Sequence, residues 1–338
     1  MLMKVPEPRK LPSGNWFIQL RLNGKSIPIT AESPTECKQI AELEKAKYKA
    51  GINQIKKLPK NITLNECITR YVNASKATLS PSTYDRYLQI SKGRFKAYQN
   101  LPLGEIKWQK MIDDELKDAS EKTVNNAWGL VRPSLKHIGY PVPDVRLAKI
   151  PVKEIAFLQP EEIKPFCDAI KNRPYEIALL LGLHGLRLSE AKALTWNDIN
   201  LTKKTIHIRG AYVKGTDGMV YKETNKNKTS TRYVPIMIPQ LETALKAVKV
   251  KEGKVVTLHG STILRDVKRA CERAKVTEVS FHGLRHSFAS LCFHLRIPME
   301  QIMQWGGWAN DTTLRRIYIH LSASGENNSK AAFTGFFK

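Results

Sequence analysis

The sequence predicts a multidomain, mainly α protein with small β-sheets, in three modules over residues 1–58, 61–152 and 155–338. Three observations carry that prediction. Hydrophobic residues recur at helical spacing through most of the chain after residue 60, short alternating runs occur only near the N-terminus and around residues 205–236, and a Pro-terminated basic stretch separates the first module from the second. A chain of 338 residues is long enough to bury more than one core.

In the first module, Trp16, Ile18, Leu20 and Leu22 fall on one face of an alternating run. Asn23-Gly24 then supplies the positive φ angles of a two-residue hairpin turn, and residues 25–30 return. A charged helix follows Ser33-Pro34-Thr35-Glu36. Arg9, Arg21 and Lys25 stand on or near one face of this sheet, which suits a β-ribbon lying in a DNA groove as well as a plain structural cap.

The second module reads as helical. Thr63-x-x-Glu66 is a capping box ahead of Leu64, Cys67, Ile68, Tyr71 and Val72. Ser80-Pro81 opens another helix in the N-cap and N1 positions, residues 108–116 suggest a third, and residues 120–138 a fourth. Pro133 inside that last pattern predicts a kink or break. In the third module Gln159-Pro160-Glu161-Glu162 starts a helix and residues 174–183 form an apolar one. Strands are expected at 205–209, 219–224 and 232–236, with helices from Pro239 and throughout 261–320.

Composition limits the partners. The formal net charge is +24, spread as roughly +7 over residues 1–60, +5 over 61–154 and +12 over 155–338. An excess distributed through every module favours a polyanion, because each neutralised phosphate releases a condensed counterion. No apolar run approaches the roughly 18 residues needed to cross a bilayer, and residues 1–10 are too polar for a signal peptide. The five cysteines, Cys37, Cys67, Cys167, Cys271 and Cys292, are scattered and lack any C-x-x-C pair. They read as reduced, buried thiols of a cytoplasmic protein, with neither disulfides nor a zinc site expected.

Metal-free cleavage of a phosphodiester needs a nucleophile, fixed cations around the phosphorus and an acid for the leaving oxygen. The third module holds parts for each. In Gly185-Leu186-Arg187-Leu188-Ser189-Glu190, Arg187 follows a tight turn, Ser189 is placed to cap the next helix, and Glu190 can hold the Arg187 fork. In His282-Gly283-Leu284-Arg285-His286, one helix face carries an imidazole, a second guanidinium and His286. His286 reads as a packing residue or a contact behind the reacting groups. A metal pair of His282 and His286 lacks a third ligand at suitable spacing, so no metal is expected. Tyr318 stands ten residues after Trp308, late on a helix that Asp311 or Thr312 can cap. The run from Asn225 to Pro235 reads as two strands joined by a polar hairpin, and Lys226 and Lys222 compete on position for the role of a lysine reaching DNA.

Together these fragments resemble the tyrosine recombinases of phages and conjugative elements. Gly-Leu-Arg-x-Ser-Glu, Lys-Thr-x-x-x-Arg-x-x-Pro, His-x-Leu-Arg-His, and Gly-Trp ten residues before a Tyr match that family in content, order and spacing over about 150 residues. The resemblance implies Arg187 and Arg285 as phosphate clamps, Lys228 as general acid, His282 as acid/base and Tyr318 as nucleophile. Trp308 stands where most members have His; an indole donates a hydrogen bond but exchanges no proton, so it is expected to position and pack. The resemblance further implies an arm-type DNA-binding domain over 1–58, a helical core-binding domain over 61–152, and an α+β catalytic domain with a C-terminal tail over 155–338.

The implied activity is integration and excision of DNA through a 3′-phosphotyrosine and a Holliday junction, without cofactor, by a homo-tetramer on double-stranded attachment sites. A host DNA-bending protein and an excisionase are possible helpers, and the expected location is the cytoplasm, on the nucleoid. The apolar tail tip, Ala331 to Phe337, suits docking on a neighbouring protomer or in cis. Two alternatives share the motifs: a type IB topoisomerase, against which the arm-like first module argues, and a catalytically idle DNA-binding regulator, against which the full set of reactive groups argues.

Overall fold

The computed structural model describes residues 5–22, 25–49, 61–151, 155–223, 231–315 and 317. The chain divides into two compact units: Met1–Leu79 with Arg86–Ile150, and Ser80–Asp85 with Pro151–Lys338. The expected boundary between first and second modules falls within residues 51–60, outside the described residues.

The first unit begins with an antiparallel sheet of β1 (Arg9–Lys10), β2 (Trp16–Leu22) and β3 (Lys25–Ala31). Asn23-Gly24 lies outside the described residues, but Leu22 pairs with Lys25, the register a two-residue loop requires. Ile18, Leu20, Leu22 and Ile29 pack with Cys37 and Ala41 of α1 (Pro34–Lys49), so one sheet face is covered by one helix. On the other face Arg9 pairs with Phe17 and lies 5.0 Å over its ring. Arg21 stands opposite Ser26, whereas Lys25 takes the register position opposite Leu22.

The helical part contains α2 (Leu64–Ala74), α3 (Pro81–Gly93), α4 (Trp108–Asp118) and α5 (Glu121–His137). Thr63 Oγ1 accepts from the Glu66 N–H at 3.3 Å and Glu66 Oε2 accepts from the Thr63 N–H at 3.2 Å, which closes the capping box. Of the kink or break expected at Pro133, the break does not occur; α5 runs through it. Proline removes one backbone bond, but Leu130, Val131, Ser134 and Leu135 around it are buried and hold the helix in register.

The second unit contains α6 (Pro160–Ile170), α7 (Glu176–Leu183), α8 (Leu188–Ala191), β4 (Ile199–Asn200), β5 (Thr205–Ile208), β6 (Gly210–Gly215), β7 (Gly218–Glu223), β8 (Arg232–Pro235), α9 (Pro239–Ala247), α10 (Gly260–Ala274), α11 (Phe281–His294) and α12 (Met299–Gly306). Helix α7 is apolar nearly all round and is correspondingly central: Leu179 to Leu181 pack with Phe166, Ile206, Val234, Leu241, Val267 and Leu284. A second cluster joins Phe288, Ala289 and Cys292 of α11 to Ile302, Trp308, Leu314 and Ile317.

The strands depart from the sequence expectation in one informative way. The run 225–231 does not join a hairpin: β7 pairs with β6, while β8 pairs with β5 in a separate sheet of order β4-β5-β8. The hairpin turn is instead Thr216-Asp217, between the paired Gly215 and Gly218, with Gly218 at φ +122°. All five cysteines are free and buried, and no helix among the described residues is long and apolar enough to cross a membrane.

Candidate active site

Four segments of the second unit, distant in sequence, meet at one cluster of arginines. The first is the turn between α7 and α8. Gly185 takes φ +92°, a conformation open to glycine, and a Cβ there would lie 2.9 Å from the Phe288 ring. The turn aims the Gly185 carbonyl at α11, where it accepts from Arg285 Nη1. Helix α8 then starts at Leu188 with Arg187 as its N-cap, not at Ser189 as expected. Glu190, at the third helical position, accepts from the Arg187 backbone N–H at 3.0 Å through Oε2, the reach-back half of a capping box.

Glu190 also holds the Arg187 side chain, Nη1 to Oε1 at 2.6 Å. The same buried carboxylate receives a second arginine, Arg232 at the start of β8, with Nη2 at 3.1 Å from Oε2 and Nη1 at 3.4 Å from Oε1. Burial raises the Glu190 carboxyl, yet Arg232 and then Arg187 outweigh it and keep the group below the ordinary carboxylate range.

The C-terminus of α12 supplies the opposite wall. Its last carbonyls have no partner within the helix and sit at the negative end of the helix dipole. Trp305 O accepts from Arg232 Nε at 2.8 Å, Gly306 O from Arg285 Nη1 at 2.6 Å and Gly307 O from Arg187 Nη2 at 3.0 Å. Three arginines from three segments thus cap one helix end. Gly307 at φ +68° is required twice over, since a Cβ would also come within 2.6 Å of Arg232 Nη1.

Arg285 is the deepest of the three, 1% exposed. Its guanidinium lies 3.8 Å from the centre of the Trp308 ring, a cation–π stack within the cluster that contains Phe288 and Ile317. Its Nε and Nη2 are buried without a hydrogen-bond partner among the described residues. Burial, then the Arg187 charge, lowers its pKa to about 9, with Glu190 pulling the other way and Arg232 adding to the fall. Three guanidiniums against one carboxylate leave a local excess of positive charge with two unspent donors, which suits an anion with several acceptor oxygens.

His282 lies on the exposed side of α11, ring centre 4.7 Å from that of His286 at a right angle. Burial, then Arg285 and Arg187, lowers its pKa, so it is neutral near pH 7. His286 is buried, and burial, then His282 and Arg285, lowers its pKa to about 4.

The structure therefore brings together Arg187, Glu190, His282, Arg285, His286 and Trp308. Lys228 and Tyr318 lie outside the described residues, as does the tail. Ile317, the residue before Tyr318, is buried in the Trp308 cluster. Arg9, Arg21 and Lys25 belong to the first unit. Arg232 was given no role from the sequence, although it stands in the Lys-Thr-x-x-x-Arg-x-x-Pro fragment. A usable signal was there: it shares the inward parity of β8 with Val234, and an inward arginine needs a buried acid.

The second unit thus gathers three arginines and one buried carboxylate at the C-terminus of α12. The Tn1549 transposon integrase, solved with transposon right end DNA, matches with a TM-score of 0.62 at 15% identity, covering 79% of this chain and 99% of that one. A lambda integrase dimer bound to a COC′ core site matches at 0.56, also at 15% identity, over 94% of this chain and 96% of that one. The integrase of Staphylococcus phage L54a is 24% identical over 325 residues, 80% of this chain and 91% of the phage protein. A tyrosine recombinase XerC-like protein of Caldanaerobacter subterraneus subsp. tengcongensis is 27% identical over 215 residues, so the chain spans about half, 55%, of that relative's length. The phage integrase family matches residues 156–324, half of the chain and all four site segments. The chain belongs to the phage integrase family.

Proposed function

We propose that this chain is a site-specific DNA recombinase of a phage or mobile element, cutting and rejoining DNA through Tyr318. The observation that carries the reading is the arginine cluster: Arg187 and Arg285 converge on the C-terminus of α12, with two Arg285 donors left for an anion. In this reading the cluster grips the non-bridging oxygens of the scissile phosphate and offsets charge that builds in the transition state. The Tyr318 oxygen attacks phosphorus and the bond to the 5′ oxygen breaks. The phenolic proton passes to the neutral His282 ring, and Lys228 gives a proton to the departing 5′-hydroxyl. The phosphotyrosine ester keeps the bond energy, so a 5′-hydroxyl of a second duplex can reverse the step and form a Holliday junction.

Trp308 acts in this scheme as a platform for Arg285, and His286 keeps the His282 ring in place without charge of its own. Partners in this reading are double-stranded core sites, with arm sites for the first module, and three further copies of the chain. The lambda integrase tetramer bound to a Holliday junction, a structure with a TM-score of 0.56, supports the assembly by analogy of fold. A host bending protein and an excisionase fit the same reading, as does a place on the nucleoid in the cytoplasm.

The experiment is a suicide substrate: duplex DNA from the element's own ends, nicked near the cleavage position. The chain should become covalently attached to the 3′ phosphate, and Tyr318→Phe should bind the site with little change and form no adduct. A Tyr318→Phe protein that still forms the adduct, or a parent chain that forms none, refutes the reading.

A further inference from the structure

We propose that Arg232 is a positioning residue of this reaction, holding Glu190 and, through it, the Arg187 guanidinium where the phosphate is gripped. The inference rests on the recombinase reading above and adds to it a group that the sequence fragments leave without a role.

The geometry separates Arg232 from the two clamps. Its side chain is 5% exposed, against 42% for Arg187. Its Nε, Nη1 and Nη2 all point at protein acceptors, Trp305 O and the two Glu190 oxygens. It reaches no substrate; Arg187 is open, and Arg285 keeps two donors free of protein partners among the described residues. Arg232 therefore acts through what it holds.

It holds two things. Glu190 bonds Arg187 at both its backbone N–H and its Nη1, so the carboxylate's position sets the fork's position. A carboxylate with one guanidinium can swing around it; one gripped from both sides cannot. Trp305 O ties the same arginine to the end of α12, whose next two carbonyls bond Arg285 and Arg187. The second contribution is charge. Arg187 and Glu190 alone form a neutral pair, and Arg232 turns the shared carboxylate into a net cationic group beside the anion site.

A purely structural tie would support the fold and nothing else, and the two roles differ in one measurable respect. The full chain and its Arg232→Met variant are compared on two nicked duplexes from the element's ends, identical except at the scissile linkage. One carries the natural phosphodiester; the other carries a methylphosphonate, in which a methyl group replaces one charged oxygen. Single-turnover adduct formation on the phosphodiester should fall roughly 10- to 100-fold, less than removal of a direct donor costs. Duplex binding should stay within about threefold. On the methylphosphonate, with no anionic oxygen to grip, the loss should shrink to a few-fold. Arg232→Lys, which keeps the charge but not the fork, should fall between parent and Met variant with the same preference for the neutral linkage, and it carries the comparison if the Met variant does not fold.

An equal loss on both linkages, or no loss on either, overturns the proposal while leaving the recombinase reading intact. A parent chain that forms no adduct overturns both.

Discussion

Arg285 owes its place to a tryptophan, and that relation decides what substitution there should do. The indole face lies 3.8 Å from the guanidinium centre, and the ring also fills the cluster that holds Leu314 and Ile317. Trp308→Phe keeps a π face but is smaller; Trp308→Ala removes both the face and the packing. The alanine variant should lose about 3–5 kcal/mol of stability, and the phenylalanine variant about 1–2 kcal/mol. Urea unfolding measures the difference, and adduct formation should fall in the same order. Glu190 is the converse case, an anion whose neutralisation would leave two arginines short of a counter-charge. Glu190→Gln should cost about 3–5 kcal/mol, unless the amide oxygen recovers part of the Arg232 contact, in which case the loss moves towards the lower figure.

The buried histidines set a pH dependence. His184 accepts from the Met237 N–H at 3.1 Å, and burial lowers its pKa to about 4. A base with a folded pKa below its unfolded value binds more protons when unfolded. Stability therefore rises with pH between about 4 and 6.5, is fully present above 6.5 and is lost as pH falls towards 4. His286 adds the same sign over the same window. Denaturation midpoints measured from pH 4.5 to 7.5 should climb. The His184→Gln variant should show a shallower climb; one as steep as that of the parent would remove His184 as a source.

At the level of elements, helices were legible and strand partners were not. The capping box at Thr63 and Glu66, the start at Gln159-Pro160 and the apolar run of α7 are local signals, and local signals survive folding. Strand pairing is settled by distant residues. The polar stretch 225–231 looked like a turn because it is rich in Asn, Lys, Thr and Ser, yet β8 leaves β7 and joins β5. The shorter Thr216-Asp217 makes the turn. The site was legible in its residue types and order, since Arg187, His282, Arg285 and Trp308 stood out as motifs. The role of backbone carbonyls was hidden, because a carbonyl has no letter in a sequence. Gly185 shows the cost of that. Its positive φ, the Phe288 ring and its bond to Arg285 all act at one position, so Gly185→Ala should lose about 1–3 kcal/mol and most of the adduct yield.

At the level of the whole molecule, the charge of +24 belongs to both units, so DNA affinity should be strongly dependent on salt. A duplex of unrelated sequence should lose on the order of 10³ or more in affinity between 50 and 200 mM salt if six or more phosphates are contacted. A plot of log affinity against log salt with a slope near zero would show that the basic surface is not used on DNA. The thiols play no part in this: burial pushes Cys67 and Cys292 up to about 12 and Cys167 to about 11, so they should resist alkylation until the chain unfolds.

The end of α12 has a consequence for when the proposed cleavage can begin. Its three carbonyls are reached only when the α7–α8 turn, β8 and α11 have all arrived, and each of those segments brings one arginine. A nascent or half-denatured chain carries the tyrosine but no assembled cradle for a phosphate. On the proposed reading, strand breakage then waits for completion of the tertiary structure itself, and a half-folded copy should still cling to DNA through its charge without nicking it, which adduct assays across a urea titration would check.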